Sequence, residues 1–535
     1  MTKKISPLLF LVLFCAPALA LAGPGLAALF PAGYHALDNW KYEDADKIAS
    51  QVQILLAAET RNKLKEQAYD FLAQYWFDKG DYQKSLAQLD SALALNPKPG
   101  EDFNRFYQRV KRLSETFLAA PEATSQHFRL RWVDPRDQVL VKPGLLTLEK
   151  AFQALSRDFN FTPQGEKILV EIYPRLQDLA AGVDLDEKML RDSGTVAICK
   201  FRRLMLVSPR CLLFGYDYQT TMSHELAHFF IYSRNGDTVP IWLHEGLARF
   251  EDQSFKNAAG QLDPVSKSFL ISAVKNNELV TFSRMHPTFA QFKTPKQGQL
   301  AFAEVETMVD YLRRHCGGDA WFKILDLLKQ GKNDKAALEQ VCGKNFDALW
   351  AGWKQELAAQ NWKLIPGAEV LKLEFKEQTM KEGGDQAEAE PLLEKDQTTE
   401  YIRLGDLLRD RGSFKAAAFE YQKAAALEPY NSRVLNKLGL CQVLAGNFKA
   451  ALEPLTRLTE IYPQYSTGFL NLGLAYFGLK DDAQAIAAFQ RASELNPFNP
   501  IAYRKLAEIY ERLGDQDKVQ EIQDADNIIH KNPGG

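Results

Sequence analysis

The chain of 535 residues carries the stretch TMSHELAHFF at residues 221 to 230. Its apolar surroundings favour a buried helix. Residues four apart share one face of a helix, so the imidazoles of His224 and His228 can reach a single zinc ion at the roughly 2.0 to 2.1 Å required. Glu225 lies about 100° further round the helix, where it can face a water molecule without binding the ion. The stretch predicts a zinc-binding helix with Glu225 as general base.

A second stretch, WLHEGLARF at residues 242 to 250, supplies a third ligand. Glu245 follows His228 by 17 residues, a spacing that suits a carboxylate ligand on a second helix. Gly246 and Ala248 are small, as a close approach between the two helices requires. The two stretches together predict that His224, His228 and Glu245 hold one Zn2+ ion.

Two neighbours of Glu245 leave alternatives open. His244 is a competing ligand, because it is adjacent to Glu245 and imidazole is a good zinc donor. Asp252 lies on the same helical face as Glu245, so it is a candidate to hold the free ring nitrogen of a zinc histidine, or else a solvated surface charge.

The pair HELAH and WLHEGLA resembles the gluzincin zinc peptidases, and most closely the peptidase MA-like domain, over residues 124–362. The resemblance implies an α+β zincin-type metallopeptidase domain with His224, His228 and Glu245 as ligands. It also implies that Glu225 is the base and proton shuttle, and that zinc polarises the scissile carbonyl and acidifies water.

The chain departs from that family in two places. Gluzincins commonly donate a hydrogen bond to the oxyanion from a downstream tyrosine, and Phe302 stands at the corresponding place, which predicts weakened activity. Tyr311, Tyr216 and Tyr218 are candidates to replace that donor. Gluzincin aminopeptidases also hold the substrate amine with an acidic residue on the strand before the zinc helix, whereas residues 194–208 contain no Asp or Glu. An endopeptidase is therefore expected, whose strand 195–201 pairs with extended substrate.

The order of patterns around the zinc stretch predicts the α+β class. Residues 128–133, 167–173, 195–201 and 204–208 alternate or run apolar, as strands do, and 145–159 has a helical pattern between the first two. From 300 to 357 the pattern is helical again. Residues 363–397 are charged and include the run KEGGD at 381–385, which indicates a flexible linker.

The C-terminal part repeats itself every 34 residues. Gly405, Gly439 and Gly473 recur in register, as do Pro429 and its equivalents, and this period resembles the tetratricopeptide repeat. Residues 398–530 are therefore expected to form an all-α solenoid that binds protein partners. A related unit with Trp76 predicts a helical, repeat-like region over residues 35–120. The fold class is thus multidomain, with helical repeats on both sides of the α+β domain.

The N-terminus and the cysteines bear on location. Residues 1–22 combine lysines, an apolar run and small residues, as a cleaved signal peptide does, which predicts a periplasmic or secreted protein; an uncleaved membrane anchor is the alternative. Stable membrane insertion is not expected after cleavage. Cys199 with Cys211, and Cys316 with Cys342, are conceivable disulfides in that setting, and small buried hydrophobes are the alternative. The formal charge of −3 does not indicate a nucleic acid partner.

Two hypotheses follow for the whole chain. In the first, it is an exported zinc endopeptidase whose repeats recruit a protein substrate or partner. In the second, it is a catalytically weak or inactive envelope adaptor that binds protein partners through its tetratricopeptide repeats.

Overall fold

The computed structural model describes residues 25–285, 289, 292, 294–376 and 397–531. The predicted signal peptide and residues 377–396 of the predicted linker lie outside the described residues.

The N-terminal region is a set of antiparallel helices that starts at Leu26, upstream of the predicted start at residue 35. Its best-defined hairpin is the predicted repeat-like unit, where the Ser85 hydroxyl donates to the Ala73 carbonyl at 2.7 Å. A small residue at this position lets the two helices pack closely. The helices are α1 (Leu26–Asp38), α2 (Tyr42–Ala58), α3 (Asn62–Asp78), α4 (Tyr82–Leu95) and α5 (Glu101–Thr116).

The central domain is built on one mixed sheet, ordered β1-β2-β3-β5-β4 in the described part of the chain. β2, β3 and β5 are parallel, and β1 and β4 pair antiparallel at the two edges. The four strands predicted from the sequence are confirmed, and β1 is an addition. The strands are β1 (Glu122–Thr124), β2 (Phe128–Trp132), β3 (Ile168–Tyr173), β4 (Ala197–Lys200) and β5 (Arg203–Val207).

Helices cover the sheet and continue beyond it, and the predicted helical patterns over 145–159 and 300–357 are confirmed. The core is apolar and continuous from the sheet through these helices. They are α6 (Val141–Asp158), α7 (Leu176–Val183), α8 (Glu187–Ser193), α9 (Tyr218–Asn235), α10 (Ile241–Glu251), α11 (Pro264–Asn276), α12 (Pro295–Cys316), α13 (Ala320–Lys329), α14 (Asp334–Cys342) and α15 (Phe346–Ala359).

A buried polar cluster joins the N-terminal hairpin to the sheet. The Glu171 carboxylate on β3 accepts from the Tyr82 hydroxyl of α4 at 3.0 Å and pairs with Arg131 and Arg203 on the flanking strands. The Arg131 guanidinium also donates to the Gly80 carbonyl at 2.7 Å. A buried charge is tolerated only with such partners, so the cluster fixes how the hairpin sits on the sheet.

The C-terminal region is a helical solenoid whose repeats follow the 34-residue period. Gly439 shows why the period needs a small residue, since a Cβ there would lie 2.3 Å from the Leu455 side chain of the paired helix. The helices are α16 (Gln397–Asp410), α17 (Phe414–Leu427), α18 (Ser432–Leu444), α19 (Phe448–Ile461), α20 (Ser466–Leu479), α21 (Asp482–Leu495), α22 (Pro500–Leu513) and α23 (Gln516–Ile529).

The solenoid docks directly on the central domain. Arg491 of α21 pairs with Asp217, the residue that precedes α9, at 3.1 Å, and the Ser466 hydroxyl donates to the Phe214 carbonyl at 2.8 Å. Apolar residues of α18 to α21 belong to the same core as the central domain. The repeats therefore share an apolar core with the central domain and do not extend from it as a separate module.

The first part of the predicted linker also packs against its neighbours. The Leu213 N–H donates to the Glu374 carbonyl and the Lys376 N–H donates to the Cys211 carbonyl, each at 2.8 Å. The Glu369 carboxylate accepts from the Ser432 hydroxyl of α18 at 2.8 Å. Residues 365–376 thus run between the domain and the solenoid, where their backbone groups find partners that the sequence pattern did not indicate.

One of the two conceivable disulfides is formed. Cys316 and Cys342 form a disulfide that ties the end of α12 to the end of α14. Cys199 and Cys211 are free thiols, and the Cys211 thiol donates to the Pro174 carbonyl at 3.1 Å instead, so this pairing is wrong. Within the described ranges, none of the helices is both long and apolar enough to cross a bilayer.

Candidate metal centre

Helix α9 presents three predicted site residues. The Asp217 carboxylate caps its N-terminus by accepting from the Thr220 N–H at 3.1 Å, which fixes where the helix begins. His224 and His228 are partly exposed on one face of the helix, while Glu225 is buried beside them. The four-residue spacing therefore places both imidazoles together, as the sequence predicts.

Helix α10 brings Glu245 to those imidazoles. Its close approach to α12 depends on Gly246, where a Cβ would lie 2.9 Å from the Val305 carbonyl oxygen. Trp242 anchors the start of the helix, since its indole N–H donates to Asp334 at 2.8 Å. Small and anchored residues around Glu245 thus hold its carboxylate at a fixed place opposite α9.

His224, His228 and Glu245 form a group whose ligand atoms all lie within 4.8 Å of one another. The two Nε2 atoms are 3.1 Å apart, and Glu245 Oε2 lies 3.7 Å from the first and 3.6 Å from the second. Ligand atoms at roughly 2.0 to 2.1 Å from a tetrahedral ion lie about 3.4 Å from each other. The donor set and its spacing fit a metal ion of that size.

The protonation of the imidazoles favours the same use. Burial lowers the pKa of His228 to about 4 and, with contributions from His228 and Arg249, lowers the pKa of His224 well below its ordinary value. Both rings are neutral at pH 7, and neutral imidazole is the form that binds metal. Two histidines and one carboxylate are a ligand set known from catalytic zinc sites.

His244 contacts a metal-ligand candidate and is not part of the group itself. Its Nδ1 lies 2.8 Å from Nδ1 of His228, so one imidazole donates to the other, and the two rings stack at 4.7 Å. This contact leaves Nε2 of His228 free to face Glu245. Asp252, the candidate for holding the free ring nitrogen of a zinc histidine, is buried and pairs with Arg249 at 3.1 Å, so neither that role nor the alternative of a solvated surface charge is found.

Glu225 lies between the metal-ligand candidates and the edge strand β4. Burial and the neighbouring Glu245 carboxylate raise the pKa of Glu225 to about 8, and a hydrogen bond from the Cys199 backbone opposes the rise. A buried carboxyl with a pKa near neutrality suits proton transfer.

Of the three tyrosines considered as oxyanion donors, Tyr216 is the one whose hydroxyl hydrogen is given to another group. The Tyr216 hydroxyl donates to the Val207 carbonyl at 2.6 Å, and the Tyr218 hydroxyl accepts from Gln219 at 3.4 Å. Tyr311 stacks with His315 at 4.2 Å. Phe302 is partly exposed on α12, with the Arg249 guanidinium 5.7 Å from the centre of its ring.

Arg249 is the residue that sequence reasoning missed. It lies four positions after Glu245 and so on the same face of α10. That spacing was visible in the sequence, but a helical arginine is usually a solvated surface charge.

Comparisons with known proteins agree with two of these regions. A family model described as the Peptidase MA superfamily matches residues 151–359, and two models of the tetratricopeptide repeat match residues 402–466 and 466–499. The Peptidase MA match begins after β2 and includes residues 221–230 and 242–250.

Similar curated proteins and solved structures cover short parts of the chain. The Hsp70-Hsp90 organizing protein of Triticum aestivum is 30% identical over 18% of this chain and 16% of its own length. The type IV pilus assembly protein PilF of Pseudomonas aeruginosa is 33% identical over 18% of this chain and 38% of its own length. A crystal structure of MamA is 32% identical over 25% of this chain and 72% of that chain, with a TM-score of 0.24. The chain thus spans well under half the length of these curated relatives.

Taken with the geometry of the site, the matches show that the chain contains a Peptidase MA superfamily domain followed by tetratricopeptide repeats.

Proposed function

We propose that this chain is an exported zinc-dependent endopeptidase of the gluzincin type. The observation that supports it most is the convergence of His224, His228 and Glu245 within 4.8 Å, with the Glu225 carboxyl buried beside them. Burying carboxyl groups beside imidazoles costs free energy, so ordinary packing between two helices does not explain this set of residues.

The metal would be held by His224, His228 and Glu245. Zn2+ there supplies positive charge, which polarises a peptide carbonyl, acidifies water and favours the ionised form of nearby carboxyl groups. Glu225 takes a proton from water as the water oxygen bonds to the carbonyl carbon and the π electron pair moves to the carbonyl oxygen. When the C–N bond breaks, Glu225 returns that proton to the leaving amine.

Strand β4 is the proposed site for substrate backbone. It forms the edge of the sheet beside α9, and an edge strand offers N–H and C=O groups to an extended peptide. β4 and the residues around it, 194–208, contain no acidic side chain to hold a substrate amine. This absence supports internal cleavage over removal of N-terminal residues.

Export has support from the Cys316–Cys342 disulfide, since such bonds persist in oxidising compartments such as the periplasm. The solenoid is proposed to recruit a protein substrate or partner, as repeat arrays usually do.

Metal analysis and a protease assay on the full mature chain test the proposal. The protein should contain one zinc per chain and cleave an unfolded protein, and Glu225→Gln should abolish cleavage while the metal stays bound. Glu339→Gln, at an exposed glutamate of α14, is the matched control and should change neither result. Cleavage that survives Glu225→Gln would sink the assignment.

A second candidate is a non-catalytic adaptor that binds protein partners through the repeats. Phe302 favours it, because phenylalanine cannot donate to an oxyanion. If a folded variant with His224→Ala and His228→Ala keeps the full biological activity of the protein, the adaptor is supported. Loss of that activity would count against the adaptor.

A further inference from the structure

One face of α10 is open to solvent, and it is the face that carries Glu245. Along this helix Ile241, His244, Glu245 and Arg249 are partly exposed, and the other positions are buried. Residues at such spacings share a single side of a helix. Arg249 therefore lies on the same side of α10 as the metal-ligand candidate Glu245, one turn further along the helix.

The Arg249 side chain is held in place at that position. Its Nη1 lies 3.1 Å from Asp252 Oδ2, and its Nε lies 4.0 Å from Glu306 Oε2. About a third of the side chain, 32%, remains exposed. A guanidinium has five N–H groups, more than the nearby Asp252 carboxylate can accept.

Phe302 lies directly beside this arginine. Helices α10 and α12 cross where Gly246 meets Val305. Three residues after Gly246 and three residues before Val305, the Arg249 guanidinium lies 5.7 Å from the centre of the Phe302 ring. The place where the family has a tyrosine donor thus holds a ring that cannot donate, next to a cation that can.

Resting on the endopeptidase proposal, we infer that Arg249 is a catalytic residue that donates a hydrogen bond to the carbonyl oxygen of the scissile peptide as that oxygen gains negative charge. Its role replaces the tyrosine donor that Phe302 has removed. A donor that acts on developing charge lowers the barrier and barely affects binding of the ground state. Asp252 and Glu306 position the guanidinium.

Arg249→Gln tests the inference in the full mature protein loaded with zinc. The turnover number should fall by about 10² to 10³ with an unchanged KM, as loss of one oxyanion donor does. Affinity for a phosphinic peptide, whose anionic oxygens mimic the tetrahedral state, should fall by a similar factor in calorimetry. Arg249→Lys should recover part of both losses, because it restores the charge without the planar fork.

Arg314→Gln on α12 is the matched control, since Arg314 also pairs with two carboxylates, those of Asp310 and Glu356. It should leave turnover and phosphinic peptide affinity unchanged. If Arg249→Gln does not fold, the double variant with Glu306→Gln removes a buried carboxylate that would otherwise be left without its cation.

Three outcomes would overturn the role. Turnover and phosphinic peptide affinity close to wild type would exclude the hydrogen bond. A raised KM with unchanged turnover would mean that Arg249 only binds substrate. Loss of zinc in Arg249→Gln would mean that it supports the metal site instead.

The binding measurement separates this inference from the endopeptidase proposal. If wild-type protein cleaves nothing yet binds the phosphinic peptide through zinc, the proposed function fails. The comparison of Arg249→Gln with wild type in that binding still decides whether Arg249 contacts the anionic oxygen.

Discussion

Gly246→Ala should weaken the metal site although it removes no ligand. A Cβ at Gly246 would lie 2.9 Å from the Val305 carbonyl oxygen and 2.8 Å from the Val309 side chain. Ordinary contact begins near 3.4 Å, so α10 and α12 must separate by about 0.5 Å. The residues of a binding site must stay within about 0.5 Å of their working positions, so this displacement would use all of that margin.

The energies can be compared directly. Alanine gains about 1 kcal/mol over glycine in a helix interior, whereas overpacking a core contact costs about 1 to 3 kcal/mol. Gly246→Ala should therefore lower the free energy of unfolding by about 0 to 2 kcal/mol. Zinc affinity should fall by about 10- to 100-fold, the usual effect of disturbing the residues that orient a ligand.

Gly298→Ala on α12 is the control, because a Cβ there meets no atom within 4 Å. It should gain the helix preference without the clash and leave zinc affinity unchanged. Competition with a zinc-binding dye and chemical denaturation of the metal-free protein measure the two effects. The reasoning is refuted if Gly246→Ala matches Gly298→Ala in both.

Further predictions concern stability. Burial raises the pKa of Glu304 to about 9, so the folded protein favours its neutral carboxyl, and the stability linked to this shift is complete below pH 4.5 and lost as the pH rises through about 9. Glu304→Gln should flatten this loss in urea unfolding measured from pH 6 to 10. An identical pH dependence in the variant would contradict the prediction. Asp217→Ala should cost about 1 kcal/mol for the lost cap on the Thr220 N–H, in addition to the lost pairing with Arg491; Asp217→Asn also loses that pairing but keeps the cap acceptor, so it should cost less, and equal losses in denaturation would exclude capping. Replacing Cys316 and Cys342 by serine should cost about 3 kcal/mol and lower the denaturant midpoint. Reductant should lower the midpoint of the wild-type protein in the same way and leave that of the variant unchanged.

The central elements could be predicted from sequence because their patterns are local. Alternating apolar residues mark β2 and an apolar run marks β3, and the four-residue spacing of His224 and His228 requires only a helix. The 34-residue period predicts the solenoid for the same reason, since each repeat buries its face on the next.

The contacts between distant segments could not be predicted in this way. The Arg249–Asp252 pair is local, three residues apart, but the contact between His228 and His244 joins two different helices and leaves no local pattern in the sequence. Residues 363–397 taken together are charged and indicate a linker, yet within them the backbone of Glu374 pairs with Leu213. Such pairings depend on which surfaces meet after folding, and a single sequence does not record them.

The helix that carries both histidines is supported from two directions. Arg491 of the solenoid pairs with Asp217 at its start, and the Tyr232 hydroxyl near its end donates to the Asp38 carbonyl of the N-terminal helices at 2.8 Å. Trp40, from the same N-terminal region, stacks on Tyr232 at 4.2 Å. A truncated chain that keeps only the central domain would lose both supports, so any metal affinity measured on it would understate that of the intact protein. The smallest unit that preserves the site thus includes the helices on either side of it.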